Sequence, residues 1–325
     1  MQFNKAYVLC PVNQTTGGPE ALHQLASALK LQGIEAYISY FDKNGYLIES
    51  DVPEVYQVYD VNVSCEIDDQ PATLIVFPET ATYLLSQYRL ACRVIWWLSI
   101  DNYFTVRGTW FRQLMRQLLL GKQLFEFSKK YDRLLHVAQS HYAQKQLLEL
   151  GVNNAQLLTD YLRDSFLLDA EYSAENKKNI VVYNPKKGIE TTQRIMEASS
   201  LLNLEWIPLI NMTPSQVAEL LKTAKVYIDF GEHPGRDRIP REAALYGCVV
   251  LTGQKGSAGN AVDVPIPLEY KFDDDGNPDE VCLLIREIMT NYSVHHDCFN
   301  NYRNWIRQNK NCFHTEVQRL TANGC

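Results

Sequence analysis

The sequence predicts an α/β protein built from two Rossmann-like, doubly wound domains. Short apolar, β-branched runs alternate with segments of helical periodicity, as in buried parallel strands covered by helices. The 325 residues suffice for two domains of ordinary size. Several strands are followed by glycine-rich or charged loops. Such loops lie at the carboxyl edge of a parallel sheet, where ligands bind.

Two features of the first half point to that edge. The first strand, residues 6–11, is followed by Gly17 and Gly18 at the start of an apolar helical segment. A glycine pair there lets a ligand approach backbone N–H groups, although an ordinary tight turn has the same pattern. A later strand, residues 93–100, leads to Asp101, a candidate base or carboxylate on the acceptor side. Its alternative role is that of a helix cap or turn residue.

The second half begins a new strand–loop–helix pattern. The strand at residues 179–183 precedes a turn that contains Lys186, Lys187 and Gly188. Two lysines after the first strand of a domain are candidates for phosphate binding, and a turn with two solvated lysines is the alternative. Further along, Gly256 and Ser257 lie in a glycine-rich loop whose amides are suited to phosphate, unless the glycines serve only flexibility.

Residues 226–252 form the most informative stretch. A buried strand, 226–230, leads into a polar loop, a helix with Pro240 in its first turn, and the next strand. The loop and helix carry Arg236, Arg238 and Arg241, which together with backbone amides make an anion site suited to phosphate. Glu242 is placed to accept hydrogen bonds from ribose hydroxyls. The alternative is a surface loop with solvated arginines, in which Glu242 favours the helix dipole.

These motifs resemble those of nucleotide-sugar glycosyltransferases of the GT-B fold (group 1, family 4-like). The segment from Pro240 to Val250 is similar to their "P-x-x-E-A-M-A-x-G-x-P-V" segment, Lys187-Gly188 to their diphosphate-binding "K-G" pair, and residues 17–20 to their "G-G-x-E" loop. The chain departs from the pattern in two places. One residue, not two, separates Pro240 from Glu242, and Pro234 stands where a glutamate is expected, eight positions before Glu242. Glu232, the nearest acid, is out of register and joins the candidates.

The resemblance implies two domains facing across a cleft. It also implies transfer of a sugar from a nucleoside-diphosphate sugar to a glycan or lipid-linked acceptor, in bacterial surface polysaccharide synthesis. Lys187, Arg236 and Arg238 would neutralise the departing nucleoside diphosphate, so no cofactor is obligatory and a divalent metal is not expected. Retention and inversion both stay open.

Two alternatives accompany this interpretation. His233-Pro234 is similar to the "H-P" motif of sialyl- and Kdo-type transferases, which use CMP-linked donors, and this makes His233 a catalytic candidate. The acidic partner motif of those enzymes belongs in the first domain, whereas Asp274-Asp275-Gly276 lies in the second half of the chain. The missing upstream glutamate favours a non-catalytic nucleotide-binding protein as the other alternative.

The pattern also predicts the domain boundaries. We expect an N-terminal acceptor domain at 1–165, a polar hinge at 166–178 and a C-terminal donor domain at 179–296. The remaining residues, 297–325, are expected to form a helix that packs back on the N-terminal domain, as the resemblance implies.

Composition bounds the partners and the location. A net charge of −7 argues against bulk nucleic-acid binding, and eight cysteines without a C-x-x-C pair fit reduced thiols. With no signal peptide and no membrane-spanning apolar run, the expected location is the cytoplasm. Residues 106–130 read as a basic amphipathic helix, suited either to the anionic inner face of the cell membrane or to a domain core.

Overall fold

The chain folds as two α/β units. The computed structural model describes residues 3–107 and 125–324. Unit 1 comprises Met1–Asp160 and Asn311–Cys325, and unit 2 comprises Tyr161–Lys310. Each unit has a parallel sheet with helices packed against it, which confirms the predicted fold class.

Unit 1 contains a sheet in which every described neighbouring pair is parallel. Its strands are β1 (Lys5–Pro11), β2 (Glu35–Phe41), β3 (Asn62–Val63), β4 (Thr73–Pro78), β5 (Cys92–Trp97), β6 (Leu134–Ala138) and β7 (Gln156–Leu157). They lie in the order β3-β2-β1-β4-β5-β6-β7. Strands β4 and β5 are buried along their whole length, and their sequences are apolar except for Thr73 and Arg93.

The helices of unit 1 are α1 (Gly17–Leu31), α2 (Ile100–Arg107) and α3 (His141–Glu149), with 3-10 helices at Glu54–Tyr59 and Glu79–Gln87. Gly17 and Gly18 begin α1, as the sequence predicts. The ring of Phe313, in the C-terminal segment of this unit, stacks on Trp96 with centroids 6.3 Å apart.

Unit 2 repeats the plan on a smaller scale. Its strands are β8 (Lys178–Tyr183), β9 (Glu205–Pro208), β10 (Ala224–Asp229) and β11 (Val249–Thr252), in the order β11-β10-β8-β9. Its helices are α4 (Asp164–Leu168), α5 (Ile189–Ala198), α6 (Pro214–Thr223), α7 (Arg238–Leu245), α8 (Pro278–Thr290), α9 (Tyr292–Asp297) and the start of α10 (Asn300–Asn323). Short 3-10 helices lie at Ala174–Asn176, Gly256–Gly259 and Leu268–Tyr270.

The segment expected to be a hinge carries a buried cation. Residues 166–178 include part of α4 and the 3-10 helix at Ala174–Asn176. Lys177 donates hydrogen bonds to the carbonyl oxygens of Leu221, Ala224 and Tyr246 at 2.9, 2.8 and 2.6 Å. Burial lowers the pKa of Lys177, since these acceptors carry no full charge. This lysine therefore fixes the segment to the ends of α6 and α7 within unit 2.

The structure also bears on the expectations for the cysteines and for residues 106–130. Cys92 is disulfide-bonded, so the expectation of reduced thiols is wrong for this residue, while the six other cysteines within the described ranges are free. The predicted amphipathic helix at 106–130 falls mostly on residues 108–124, outside the described residues. Across the described ranges, no helix is long and apolar enough to cross a membrane.

The carboxyl edge of the first sheet holds a buried carboxyl group. The chain runs from β1 to β2 on one side and returns to β4 on the other, so the sheet changes direction between β1 and β4. Glu79 follows β4 at this point, and its Oε2 accepts a hydrogen bond from Leu98 N–H at 3.1 Å. Burial raises the pKa of Glu79 to about 7, against the effect of its backbone hydrogen bonds.

The raised pKa predicts how Glu79 affects stability. The native state holds this proton up to about pH 7, whereas the ordinary pKa of a glutamate carboxyl is 4.5. The native state thus binds more protons between these values, and the Glu79 contribution to stability falls as pH rises through this window. We expect Glu79→Gln to remove that dependence. Its unfolding free energy relative to the wild type should increase by about 3 kcal/mol between pH 4.5 and 7.5.

Urea unfolding of both proteins at a series of pH values measures this difference. Parallel stability curves across the window would show that Glu79 titrates in the native state as it does in the unfolded chain.

Candidate functional site

Two glycine turns meet at the carboxyl edge of the second sheet. Strand β8 lies between β9 and β10, so this sheet changes direction between β8 and β10. Gly188 follows β8 with φ 57°, and Gly231 follows β10 with φ 90°. A Cβ atom on Gly188 would lie 2.4 Å from the carbonyl oxygen of Phe230, and one on Gly231 would lie 2.6 Å from Gly188 N. Only glycine permits this approach.

The close contact of the turns places Lys187 against the end of β10. Its Nζ lies 3.1 Å from Asp229 Oδ1 and 3.0 Å from His233 Nδ1, and it also forms an ion pair with Asp237 Oδ2. We call these four residues the Lys187 cluster. Lys187 Nζ thus lies between two carboxylates and the imidazole of His233.

The partners of Lys187 are themselves held in place. Asp229 Oδ2 accepts a hydrogen bond from Tyr227 Oη at 3.1 Å. His233 Nε2 lies 3.1 Å from the Asp229 carbonyl oxygen, which only accepts, so Nε2 carries a proton. His233 Nδ1 lies 2.7 Å from Asp237 Oδ2. The side chains of Asp229, His233 and Asp237 are 1%, 2% and 30% exposed.

Burial and charge act in opposite directions on this cluster. Burial alone lowers the pKa of Lys187, but the attraction of Asp229 and Asp237 outweighs it, and the pKa lies above its usual value. Burial raises the pKa of Asp229 despite the nearby Lys187. Burial also opposes ionisation of Asp237, yet the hydrogen bond from His233 and the charge of Lys187 prevail, and its pKa is lowered. Lys187 and Asp237 are thus a charged pair at neutral pH.

Two of the predicted anion-binding arginines support the loop itself. Arg241 is buried and donates to the carbonyl oxygens of Asp237 and Arg236 at 3.1 and 2.9 Å. Arg236 is buried too; it donates to Asn309 Oδ1 at 2.8 Å, and its guanidinium lies 4.6 Å from the ring centroid of Trp305. These contacts fix the loop that precedes α7.

Arg238 and Glu242 lie together on the first turns of α7. Arg238 Nη2 is 3.4 Å from Glu242 Oε1, and the guanidinium lies 5.5 Å from the ring centroid of Phe166. The Arg238 and Glu242 side chains are 19% and 10% exposed. The first turns of α7 therefore carry a guanidinium beside a carboxylate.

The glycine-rich loop after β11 braces the residues before α7. Ser257 donates from its N–H to the His233 carbonyl oxygen at 2.8 Å and from its Oγ to the Gly235 carbonyl oxygen at 2.6 Å. A Cβ on Gly256 would lie 2.1 Å from the same His233 oxygen. Gly256 and Ser257 therefore hold the position of His233.

The other candidates are placed as follows. Lys186 is exposed, and its N–H donates to Asn184 Oδ1 at 3.1 Å. Glu232 is 72% exposed, with Lys255 Nζ at 3.9 Å. Asp101 lies in the first turn of α2, where its Oδ1 accepts from Tyr142 Oη at 3.0 Å. Asp101 belongs to unit 1 with Gly17 and Gly18, and the other candidates belong to unit 2.

Metal-type ligand atoms occur within the Lys187 cluster. Asp229, His233 and Asp237 each offer one ligand atom within 4.8 Å of the others. The ammonium of Lys187 lies within hydrogen-bonding distance of all three side chains and supplies the positive charge between the carboxylates. Sequence analysis missed Asp229 and Asp237; a carboxylate that ends an apolar strand was the available signal for Asp229.

No protein-family model matches the sequence, and no curated protein matches it. Several solved structures are similar to the structure of this chain. A glycosyltransferase from Rickettsia africae has TM-score 0.59 at 12% identity, covering 97% of this chain and 99% of its own. Sucrose-phosphate synthase from Thermosynechococcus elongatus has TM-score 0.64 at 13% identity, covering 98% of both chains. WaaG, a glycosyltransferase involved in lipopolysaccharide biosynthesis, has TM-score 0.54 at 12% identity, covering 98% of both.

The chain has the GT-B fold. Likeness at this level of identity shows the fold and leaves the reaction to the residues of the site. Both sheets of the GT-B fold here have candidate residues at the point where strand order changes direction, which is where ligands bind in open parallel sheets.

The glycine contact that builds the site leads to a stability prediction. Gly188→Ala combines a left-handed backbone conformation with overlap on the Phe230 carbonyl group. We expect a loss of about 2–4 kcal/mol in unfolding free energy, together with displacement of Lys187 from Asp229. Chemical denaturation measures the loss.

Gly33→Ala is the matched control, since Gly33 has φ 81° but a Cβ there meets nothing within 4 Å. It should lose only the backbone contribution, about 1–2 kcal/mol. Equal losses in the two variants would contradict the role given to the contact between the turns.

Proposed function

We propose that the protein is a glycosyltransferase that moves a sugar from a nucleoside-diphosphate sugar to a glycan or lipid-linked acceptor. The observation that carries the proposal is the placement of Lys187, Arg238 and Glu242. They lie after β8 and on α7 in unit 2, around the point where the strand order of this GT-B sheet reverses. Cations there can stabilise the charge that develops on a departing nucleoside diphosphate.

The start of α7 supports a phosphate site. Asp237 stands at the N-cap position, but its side chain makes no capping hydrogen bond to this helix. The first-turn amides of Arg238 and Ile239 point along a helix dipole that favours an anion. Arg238 adds a guanidinium at the same place, and Glu242, one turn later, is suited to the ribose hydroxyls.

The acceptor side is assigned to unit 1. The start of α1 at Gly17 and Gly18 and the carboxylate of Asp101 are the groups proposed to face the acceptor. If Asp101 takes the acceptor proton, the reaction inverts; if the donor phosphate does so, it retains. Because protein cations neutralise the leaving group in this scheme, the reaction needs no divalent metal.

Placement in the cell belongs to the proposal as well. WaaG is described as acting in lipopolysaccharide biosynthesis, and this likeness of fold favours a role in a bacterial surface polysaccharide. We infer a cytoplasmic protein that meets a lipid-linked acceptor at the inner membrane face. The basic residues of the 106–130 stretch would contact anionic lipids.

A non-catalytic nucleotide-binding protein is the second candidate. Pro234 stands at the position of the expected glutamate, and the Lys187 ammonium is already paired with the carboxylates of Asp229 and Asp237. Such a protein would bind a nucleotide without transferring sugar.

Ligand binding tests the proposed site. The ligands are UDP, GDP, ADP, dTDP and CMP. We expect one of the four nucleoside diphosphates to raise the melting temperature, since a ligand at 100 times its dissociation constant stabilises by about 2.7 kcal/mol. Arg238→Ala and Glu242→Ala should abolish the shift, because they remove the phosphate cation and the ribose acceptor. Arg286→Ala, an exposed arginine on α8, is the matched control and should keep the shift.

The bound nucleotide then selects the sugar donors for a transfer assay that follows release of free nucleoside diphosphate. A shift with CMP alone would favour the CMP-sugar alternative. Binding without release from any matching donor would favour the non-catalytic candidate, and the absence of any nucleotide shift would refute the donor site.

A further inference from the structure

The Lys187 ammonium already has two anionic neighbours. Its Nζ lies 3.1 Å from Asp229 Oδ1 and forms an ion pair with Asp237 Oδ2. A phosphate that approaches Lys187 therefore competes with these carboxylates for the ammonium, and the imidazole of His233 lies beside them. Which partner leaves follows from how each one is held.

Asp229 and His233 are fixed. The side chain of Asp229 is 1% exposed, and its second oxygen accepts from Tyr227 Oη. His233 is 2% exposed, and its Nε2 donates to the Asp229 carbonyl oxygen. The Ser257 N–H holds the His233 carbonyl group at 2.8 Å. Moving either residue would open a buried network.

Asp237 is placed differently. Its side chain is 30% exposed, so its carboxylate can rotate into water. Its backbone has φ −60° and ψ 141°, the extended conformation of an N-cap residue, yet its side chain does not cap α7. The carboxylate faces Lys187 and His233 instead of the helix amides. It is the partner that can leave without disturbing the sheet edge.

We propose that Asp237 is a gate residue for donor phosphate: its carboxylate occupies, on Lys187, the place of a phosphate oxygen and must be displaced when the donor binds. The proposal rests on the proposed function and makes Asp237 a positioning residue that sets donor affinity. Carboxylate and phosphate oxygens are both anionic acceptors for an ammonium, so the exchange keeps Lys187 paired throughout. Near the start of α7, the departing carboxylate also stops repelling the incoming anion.

The gate predicts effects of opposite sign on stability and on binding. Asp237→Asn keeps the shape of the side chain and an acceptor oxygen but removes the charge. The ligand-free variant should melt below the wild type, because Lys187 loses one ionic partner. The same variant should bind a polyphosphate more tightly, because the competitor is weaker. A purely structural role would weaken both.

Isothermal titration calorimetry with inorganic pyrophosphate tests the gate without knowledge of the nucleotide. We expect Asp237→Asn to lower the pyrophosphate dissociation constant by about tenfold or more. Asp275→Asn makes the same change in net charge at an exposed position of this unit and should alter binding by less than about twofold. Adding Lys187→Met to Asp237→Asn should remove the gain.

Asp237→Ser, whose hydroxyl can cap α7, is the second variant if Asp237→Asn does not fold, with the same expected direction. Unchanged or weaker pyrophosphate binding in a folded Asp237 variant would overturn the gate, and so would an equal gain in Asp275→Asn. If nucleoside diphosphates bind the wild type in either case, the proposed function stands. A tenfold gain without binding of any nucleotide would support the gate and refute the function. If neither the wild type nor any variant binds pyrophosphate or a nucleotide, both the gate and the proposed function are overturned.

Discussion

The candidate donor site depends on the backbone contact between the Gly188 and Gly231 turns. Without side chains at these positions, the ends of β8 and β10 approach closely enough to set Lys187 against Asp229. The rest of the edge is built on that contact. Asp274 accepts the N–H of Gly231, Gly256 lies against the His233 carbonyl group, and Ser257 donates to it. Each loop is thus held by backbone or side-chain groups of another, which fixes the positions of the charged side chains.

Two lysines in unit 2 show why the identity of the partner matters. Lys177 is buried and donates to three carbonyl oxygens, whereas Lys187 is partly exposed and lies against two carboxylates. Burial lowers the pKa of Lys177, whereas the two aspartates raise that of Lys187 above its usual value. Carbonyl oxygens belong to the backbone and cannot move away, so Lys177 is a permanent clamp. A carboxylate on a partly exposed side chain can be exchanged for another anion, and the proposed ligand response of Lys187 depends on this difference.

Apolar runs and glycines were enough to predict the fold, because buried parallel strands and the turns after them have distinctive sequences. The roles of the arginines could not be read in the same way. Arg236, Arg238 and Arg241 look equivalent in the sequence, yet the first is held by Asn309 and Trp305 and the last by carbonyl groups of its own loop. Asn309 and Trp305 lie on α10, about 70 residues from Arg236 in the sequence. No pattern in the sequence near Arg236 predicts contacts over that separation. Asp229 could not be predicted for a related reason. It ends an apolar strand, and it contacts Lys187 only because the turns after β8 and β10 pack together in the folded chain.

The roles of Arg236, Arg238 and Arg241 differ with the burial of their side chains. A buried guanidinium that donates to backbone carbonyls cannot turn toward a ligand without leaving those carbonyls unsatisfied, so Arg241 fixes the start of α7. Arg236, stacked on Trp305, fixes the preceding residues. Because the start of α7 is fixed, its backbone amides are already in place in the proposed anion site. Binding an anion there requires no further ordering of the backbone. The side chains that can change partners are then Arg238 and Lys187. Arg238 faces the carboxylate of Glu242, and Lys187 faces that of Asp237. In the free protein these carboxylates keep two cations paired at the proposed phosphate site. In that proposal, donor affinity depends on the difference between two anions rather than on the full charge of the site.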